Sequence, residues 1–441
     1  AGIRGRALRA RLGAARLPTV WEAILDLDDR AESMVVMSAI RGRANGCLTL
    51  LWGQREAIVA LSLGLWLTGY WLLEGWEHRK MLWLLVPVLV LSGGDRILLT
   101  VRRNRWLWAV AGLLVYQLAS RMWTAQSTSP VASWHDSLLT FVLIAGLVTA
   151  ATRDNVATRF LGGLAILSPL VALFSLFAFY AWSGRSFADD RLRIPYIYDH
   201  GLNAVLTGLL FGFGALAAAW FTRHGDWRTR RIWWLAATGI GVFALLATQS
   251  RGAMLALAAG TVVLVLFERS RSWAALGAMG GGAVAYFAVL FWSRGGSEAA
   301  GDLLVRGSTG RFTIYDWFLG RMDTADGLVG KGMGTPAVIP EEVFGWLVHH
   351  PHSSYLTQLY LTGAVGLGLL IFVLGWATRD ALREARHGDT LWITLLASGA
   401  MALLFDCAQI FTLHSDPRLE LLLLAVPAAL AIGRVESARA G

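Results

Sequence analysis

The chain has 441 residues, of which 56% are hydrophobic and 16% charged, and its mean hydropathy is +0.53. Soluble domains carry about 25% charged residues, and the apolar excess here is gathered into long runs, which excludes an ordinary soluble globular protein. The formal net charge is +9, and almost all the positive charge is arginine, since Lys80 and Lys331 are the only lysines; basic loops on the cytoplasmic side of a membrane explain it better than nucleic acid does.

Residues 1–55 read as a cytoplasmic amphipathic lead-in whose Arg4, Arg6, Arg9, Arg11 and Arg16 are placed to rest on anionic headgroups. The opening AGIRGRALRARLGAARL is basic but lacks the apolar stretch of a signal peptide. Apolar runs then follow, and several, such as FLGGLAILSPLVALFSLFAFYAW, reach the roughly 20 residues needed to cross a hydrocarbon core. About twelve spans are predicted, at 56–76, 81–100, 106–123, 133–152, 160–182, 201–221, 232–249, 251–267, 273–293, 353–376, 391–411 and 418–435. The second is the weakest, because Asp95 and Arg96 interrupt it. The fold class is an all-α integral membrane protein with a large late loop containing short helices.

Orientation follows from arginine bias. With the N-terminus inside, the connections VRRNR, RDNVATR, TRHGDWRTRR, ERSRS and TRDALREAR are all cytoplasmic and all basic. EHRK, on the other side, is the exception. The predicted organisation is therefore a lead-in at 1–55, nine spans within 56–293, an external loop domain at 294–352, three spans within 353–435 and a cytoplasmic tail at 436–441. Loops beyond about 15 residues are usually functional or disordered. The aromatic content of 294–352, including Trp317, Phe318, Phe344 and Trp346, favours folding, with a short helix expected around 312–322. Cys47 and Cys407 lie far apart in apolar contexts and predict neither a disulfide nor a metal site.

Candidate chemistry gathers at the outer border. In VHHPHSSYLTQLYL, Pro351 is suited to the first position of a helix. That places His352 in the first turn, where the helix dipole favours a ring that accepts a proton, as a general base must. The plainer alternative is an interfacial histidine that bonds a loop. His349 and His350 raise a third reading, a metal site, but no acidic or cysteine partner stands at ligand spacing. Arg251 lies in a tight turn between two apolar runs, flanked by Ser250 and Gly252 that leave room for a ligand; the alternative is an arginine snorkelling at the interface. Arg306 and Arg311 stand in the long loop beside Tyr315, Trp317 and Phe318, a combination suited to phosphate and sugar, or else to a solvated loop. Arg191 and Arg193 in the 183–200 loop are comparable, with Asp189 and Asp190 beside them to neutralise them. Asp406 is a within-span carboxylate placed to line an acceptor cavity. Gly363, Gly366 and Gly368 read as a flat face for helix packing.

His352, Ser353, nine residues, then Gly363-x-x-Gly366 resembles the histidine signature of the O-antigen ligases, whose superfamily includes O-antigen polymerases and O-linked protein oligosaccharyltransferases. The Ser250, Arg251, Gly252 turn resembles the family's membrane-border arginine. Arg311 with Trp317, followed by GKGMG at 330–334, resembles the loop's arginine and glycine-rich stretch. The resemblance covers roughly residues 200–415. It implies transfer of a glycan from undecaprenyl diphosphate to lipid A–core, at the periplasmic face of the bacterial inner membrane and without metal or nucleotide cofactor. In that account His352 is the base, Arg251 and Arg311 hold the diphosphate, and Arg191, Arg193, Arg306, His350 and Asp406 are lesser substrate-binding candidates. A polymerase or a protein oligosaccharyltransferase would use similar chemistry. A polysaccharide transporter or flippase is the reading from another class, with polar residues expected at mid-membrane on broken helices and in inverted repeats.

Overall fold

The computed structural model describes residues 57–73, 75–124, 130–152, 156–195, 202–224, 228–268, 273–294, 310–345, 347–348, 350–405 and 419–440. The predicted lead-in at 1–55 lies outside these. The described residues belong to one compact unit, helical apart from its turns.

Among the described residues a helix lies along each predicted apolar run, the first nine ahead of the late loop. They are α1 (Ala57–Leu72), α2 (Gly75–Arg103), α3 (Arg105–Ala119), α4 (Pro130–Ala151), α5 (Val156–Leu176, extended by a π turn at Phe177–Trp182), α6 (Ala204–His224), α7 (Arg228–Ala247), α8 (Arg251–Glu268) and α9 (Trp273–Arg294). Among the described residues of the late loop are three short helices, α10 (Arg311–Leu319), α11 (Thr324–Val329) and α12 (Glu341–Phe344). The chain closes with α13 (Ser354–Arg386), α14 (Leu391–Ala402) and α15 (Val426–Ala440, led in by a π turn at Leu421–Ala425). Among the described residues, seven helices are long and apolar enough to cross a membrane, and α1, α14 and the part of α7 from Arg231 are apolar but shorter. Length and composition thus support seven crossings where the apolar runs predicted about twelve. The second span, expected to be the weakest, is one continuous helix of 29 residues through Asp95 and Arg96. A polar pair on one flank of a helix leaves the backbone ladder intact, so it weakens a hydropathy signal without breaking the helix.

Helix α6 is the centre of the bundle, with 94% of its apolar window buried. Small residues let its neighbours close in. A side chain at Gly208 would meet Thr248 Oγ1 at 2.7 Å and Ala253 Cβ at 2.8 Å, and one at Gly260 of α8 would meet Leu216 of α6 at 2.4 Å and the Thr394 carbonyl of α14 at 3.1 Å. Such close backbone approach is how helices gain packing energy where lipid gives no hydrophobic drive. Bulk fills the spaces between: Trp71, Trp106, Phe211, Phe213, Tyr286 and Trp392 are almost fully buried. At one end of the bundle a buried polar network ties four elements together. Arg223 Nη1 lies 2.6 Å from Glu268, Thr390 donates to the same carboxylate at 2.5 Å, and Asp389 accepts from Trp392 Nε1 at 3.0 Å while facing Arg434 at 3.7 Å. The candidate site lies among the helix ends elsewhere in the bundle.

The late loop has a small core of its own, built from Ile314, Phe318, Met333, Ile339 and Val348 against Tyr360 and Leu361 of α13. Ile339 and Val348 pair through both backbone hydrogen bonds, at 2.9 and 3.2 Å. The short helix expected around 312–322 is α10, shifted by the turn at Gly320, where the chain closes back onto Asp316 and Phe318.

Candidate active site

Three helix starts define the site. Helix α8 begins after a buried turn in which Gln249 takes φ +50, a left-handed value uncommon for a residue with a side chain. Its side-chain Nε2 anchors the strained turn by donating to the Ala188 carbonyl at 3.2 Å. Ser250 Oγ accepts from the Ala253 amide at 3.4 Å, satisfying one of the N–H groups that a helix start leaves open. Arg251 is then the first helical residue and is exposed.

Helix α10 begins after Gly310, whose φ of +68 requires glycine and which contributes no side-chain cap. Arg311 is its first residue, half-buried, with its guanidinium carbon 5.6 Å from the centre of the Phe405 ring.

Helix α13 begins at Ser354, and Ser353 caps it by accepting from the Leu356 amide. His352 therefore sits one residue before the cap, not in the first turn, and Pro351 is not the first helical residue. The serine hydroxyl takes the capping role, and His352 adopts φ +55 to bring the chain into it. The His352 amide donates to His350 Nδ1 at 3.1 Å, and the two rings lie 4.3 Å apart. His350 thus braces the turn that presents His352.

These starts meet on one short turn at the end of α14. The Leu403 carbonyl accepts from the Ser354 amide at 2.9 Å. The Leu404 carbonyl accepts from Tyr315 Oη of α10 at 3.1 Å. Phe405 stacks under Arg311, and its Cβ would lie 3.0 Å from a side chain at Gly252, the residue after Arg251. Three consecutive residues, 403–405, thereby hold the helices of His352, Arg311 and Arg251.

The other candidates divide. Arg191 Nε donates to the Thr248 carbonyl at 2.9 Å, which sets its backbone and side chain beside the Arg251 turn. Arg193, between buried Leu192 and Ile194, is exposed. Arg306, His349 and Asp406 lie outside the described residues. Among the described residues no group of three or more histidine, cysteine or carboxylate side chains is gathered for a metal ion.

The glycine-rich 330–334 segment has a role beyond turning the chain. Helix α13 is broken at Gly363, with φ +64 and ψ −171. The break frees carbonyls, and the loop uses them: Lys331 and Gly332 donate their amides to Tyr360 O at 3.0 Å and Leu361 O at 2.9 Å. Tyr116 Oη bonds Thr362 O at 3.2 Å, and Trp123 Nε1 bonds Gly330 O at 3.1 Å. Gly330 and Gly363 make the contact by backbone alone, since a side chain on either would fall within 2.4 Å of the opposing main chain. Of the three glycines read as a packing face, Gly363 is this break, Gly366 leaves room for Thr362, and Gly368 faces open space and packs nothing.

Lys331 and Asp326 pair beneath this wedge, with Asp326 also completing a capping box with Asp323. Burial opposes ionisation of Asp326, but the Lys331 ammonium and the Asp323 amide outweigh it and hold the carboxyl below its ordinary range. A depressed carboxylate contributes stability above the ordinary range and loses it as pH falls through the folded value. Acidification below about pH 4 is therefore expected to raise hydrogen exchange in 324–334, and Asp326→Asn to remove that pH step. Equal pH dependence in both proteins would contradict the role given to the pair.

A multi-helix membrane bundle with a folded loop packed beside three converging helix starts defines a class of polytopic membrane protein whose candidate arginines stand at helix starts. Residues 235–371, from early α7 to the middle of α13 and so including Arg251, Arg311 and His352, match the family model described as O-antigen ligase. Over that stretch the chain is similar to the O-antigen ligase family, whose members are glycosyltransferase-like membrane enzymes. No curated protein sequence matches the chain.

Phe405 and the capping role of Ser353 are absent from the residues singled out in the sequence, and Tyr315 figures there only as an aromatic beside Arg311. An N-terminal serine before an apolar helix is a readable cap signal. The part played by Phe405, and the bond from Tyr315 to Leu404, become visible only through contacts between distant parts of the chain.

Proposed function

We propose that the protein is an O-antigen ligase, transferring a polysaccharide from undecaprenyl diphosphate to lipid A–core at the periplasmic face of the bacterial inner membrane, with both chain termini in the cytoplasm and the late loop outside. The observation that carries this reading is the convergence of the Arg251, Arg311 and His352 helix starts on residues 403–405, within and beside the matched domain.

His352 accepts the proton of the acceptor hydroxyl as that oxygen attacks the anomeric carbon. The bond from that carbon to the diphosphate breaks, and undecaprenyl diphosphate leaves with the electron pair. Attack from the face opposite the leaving group inverts the anomeric centre. Arg251 and Arg311 grip the diphosphate through charge-assisted, bidentate hydrogen bonds. They stabilise the charge that grows as the sugar departs, an effect of several kcal/mol when the donors are fixed in advance. Their placement favours an enzyme over a transporter: both stand at helix starts rather than in helix interiors, and the helix break at Gly363 is filled by the protein's own loop.

Polymerase and protein oligosaccharyltransferase chemistry differ from this only in acceptor. A deletion strain separates the three. The expected result is lipid A–core without a ladder, with long chains retained on the lipid carrier, restored by the intact gene. A single repeat unit on the core would assign the chain as a polymerase, and an unchanged ladder with loss of protein glycans would assign it as an oligosaccharyltransferase.

A further inference from the structure

We propose that Phe405 is a positioning residue of the transfer site, whose ring directs the Arg311 guanidinium and couples it to the start of α8. The inference rests on the reading above that Arg311 holds the donor diphosphate. An arginine side chain has many rotamers, and Gly310 before it supplies no cap that would fix the helix start. The Phe405 ring does so from outside the helix. Its face lies 5.6 Å from the guanidinium carbon, within the range where the ring quadrupole attracts a cation.

The ring is itself held. Tyr315, one turn along α10 from Arg311, bonds the carbonyl of the preceding residue, Leu404. On its other side, Gly252 brings the α8 backbone so close that an added side chain would stand 3.0 Å from Phe405 Cβ and 3.7 Å from Cγ. The packing leaves the ring little freedom to move away from α10. Phe405 thus lies between the two arginine-bearing helix starts, in contact with Arg311 itself and with the residue that follows Arg251. A leucine would fill much of the volume without the quadrupole.

The test uses the purified full chain in detergent with lipid-linked polysaccharide and lipid A–core. Phe405→Leu is expected to lower kcat/KM for the donor about 10-fold, since small misplacements of a binding group cost up to about 100-fold, while the KM for the acceptor stays unchanged. Phe405→Tyr, which keeps the ring, is expected to restore the rate to within about 2-fold. Gly252→Ala, whose methyl group would press on Phe405 Cβ at 3.0 Å, is expected to lower the rate in the same direction by less than Phe405→Leu. In an Arg311→Gln background, Phe405→Leu is expected to cost no more than about 2-fold, because the group it positions is gone. A wild-type rate in Phe405→Leu, or the same loss with and without Arg311, would overturn the inference while leaving the role of Arg311 intact. A wild-type rate in Arg311→Gln would instead overturn the functional reading and this inference with it.

Discussion

His352→Ala is expected to lower glycan transfer by about 10²–10⁴-fold, the usual contribution of a positioned general base. The assay is the rate at which the lipopolysaccharide ladder appears in membranes, at matched protein level. The backbone of His352 makes this substitution more informative than most. At φ +55 it occupies a region that costs an L-residue about 1–2 kcal/mol and that Asn and Gly enter more readily. His352→Gly removes the imidazole and the strain together. It is expected to be at least as stable as the parent, by up to about 1 kcal/mol, and as inactive as His352→Ala. His352→Asn keeps the turn and is likewise expected to be inactive. A strained backbone at this position is in keeping with the proposed role of His352, since strain persists where geometry is held at the expense of stability. Were the glycine variant to transfer at the parental rate, His352 would be a turn residue and nothing more.

Gly363→Ala has the next largest expected effect. A methyl group there would stand 2.2 Å from the Leu328 carbonyl oxygen and 2.4 Å from the Val329 amide, both backbone atoms of α11 that cannot swing away. The residue also needs φ +64. Left-handed strain and the steric conflict together are expected to destabilise the protein by about 2–4 kcal/mol, read as a lower unfolding temperature in detergent. The damage should be local first. Separating α11 from α13 removes the Lys331 and Gly332 hydrogen bonds to Tyr360 and Leu361, so protease cleavage within 324–334 is expected to rise before the bundle melts. Transfer should fall as well, because Arg311 is carried by the same loop. Gly368→Ala is the control. That position faces open space within a regular helix, so alanine should be neutral or stabilising by up to about 1 kcal/mol. Equal effects at 363 and 368 would refute the wedge.

The apolar runs made the helices legible, because a membrane helix satisfies its backbone internally and announces itself by composition. Its length is less legible: α14 ends at Ala402 where the apolar run continues, because the chain turns to offer the carbonyls of Leu403 and Leu404 to two other helices. Pro351 was misread for a related reason. A proline ahead of an apolar run fits a first helical position, but Ser353 competes for the cap and wins by bonding the Leu356 amide. Gly363 looked like a packing residue because small residues at helical spacing usually are. Its positive φ is imposed by α11, about 35 residues earlier in the chain, and no local pattern encodes it. Arg251, Arg311 and His352 could be nominated singly from charge and turn chemistry. That they share one platform depends on Phe405, an ordinary member of an apolar string until the fold brings it to Arg311 and Gly252.

The most direct measurement is transfer by the purified protein, without an ion gradient, from lipid-linked polysaccharide to lipid A–core, with His352, Arg251 and Arg311 changed one at a time to alanine. The parent protein is expected to form product, and each variant to lose at least about 100-fold of that rate. Product formation undiminished in all three variants, or strict dependence on a gradient, would contradict a site built where these three helix starts meet.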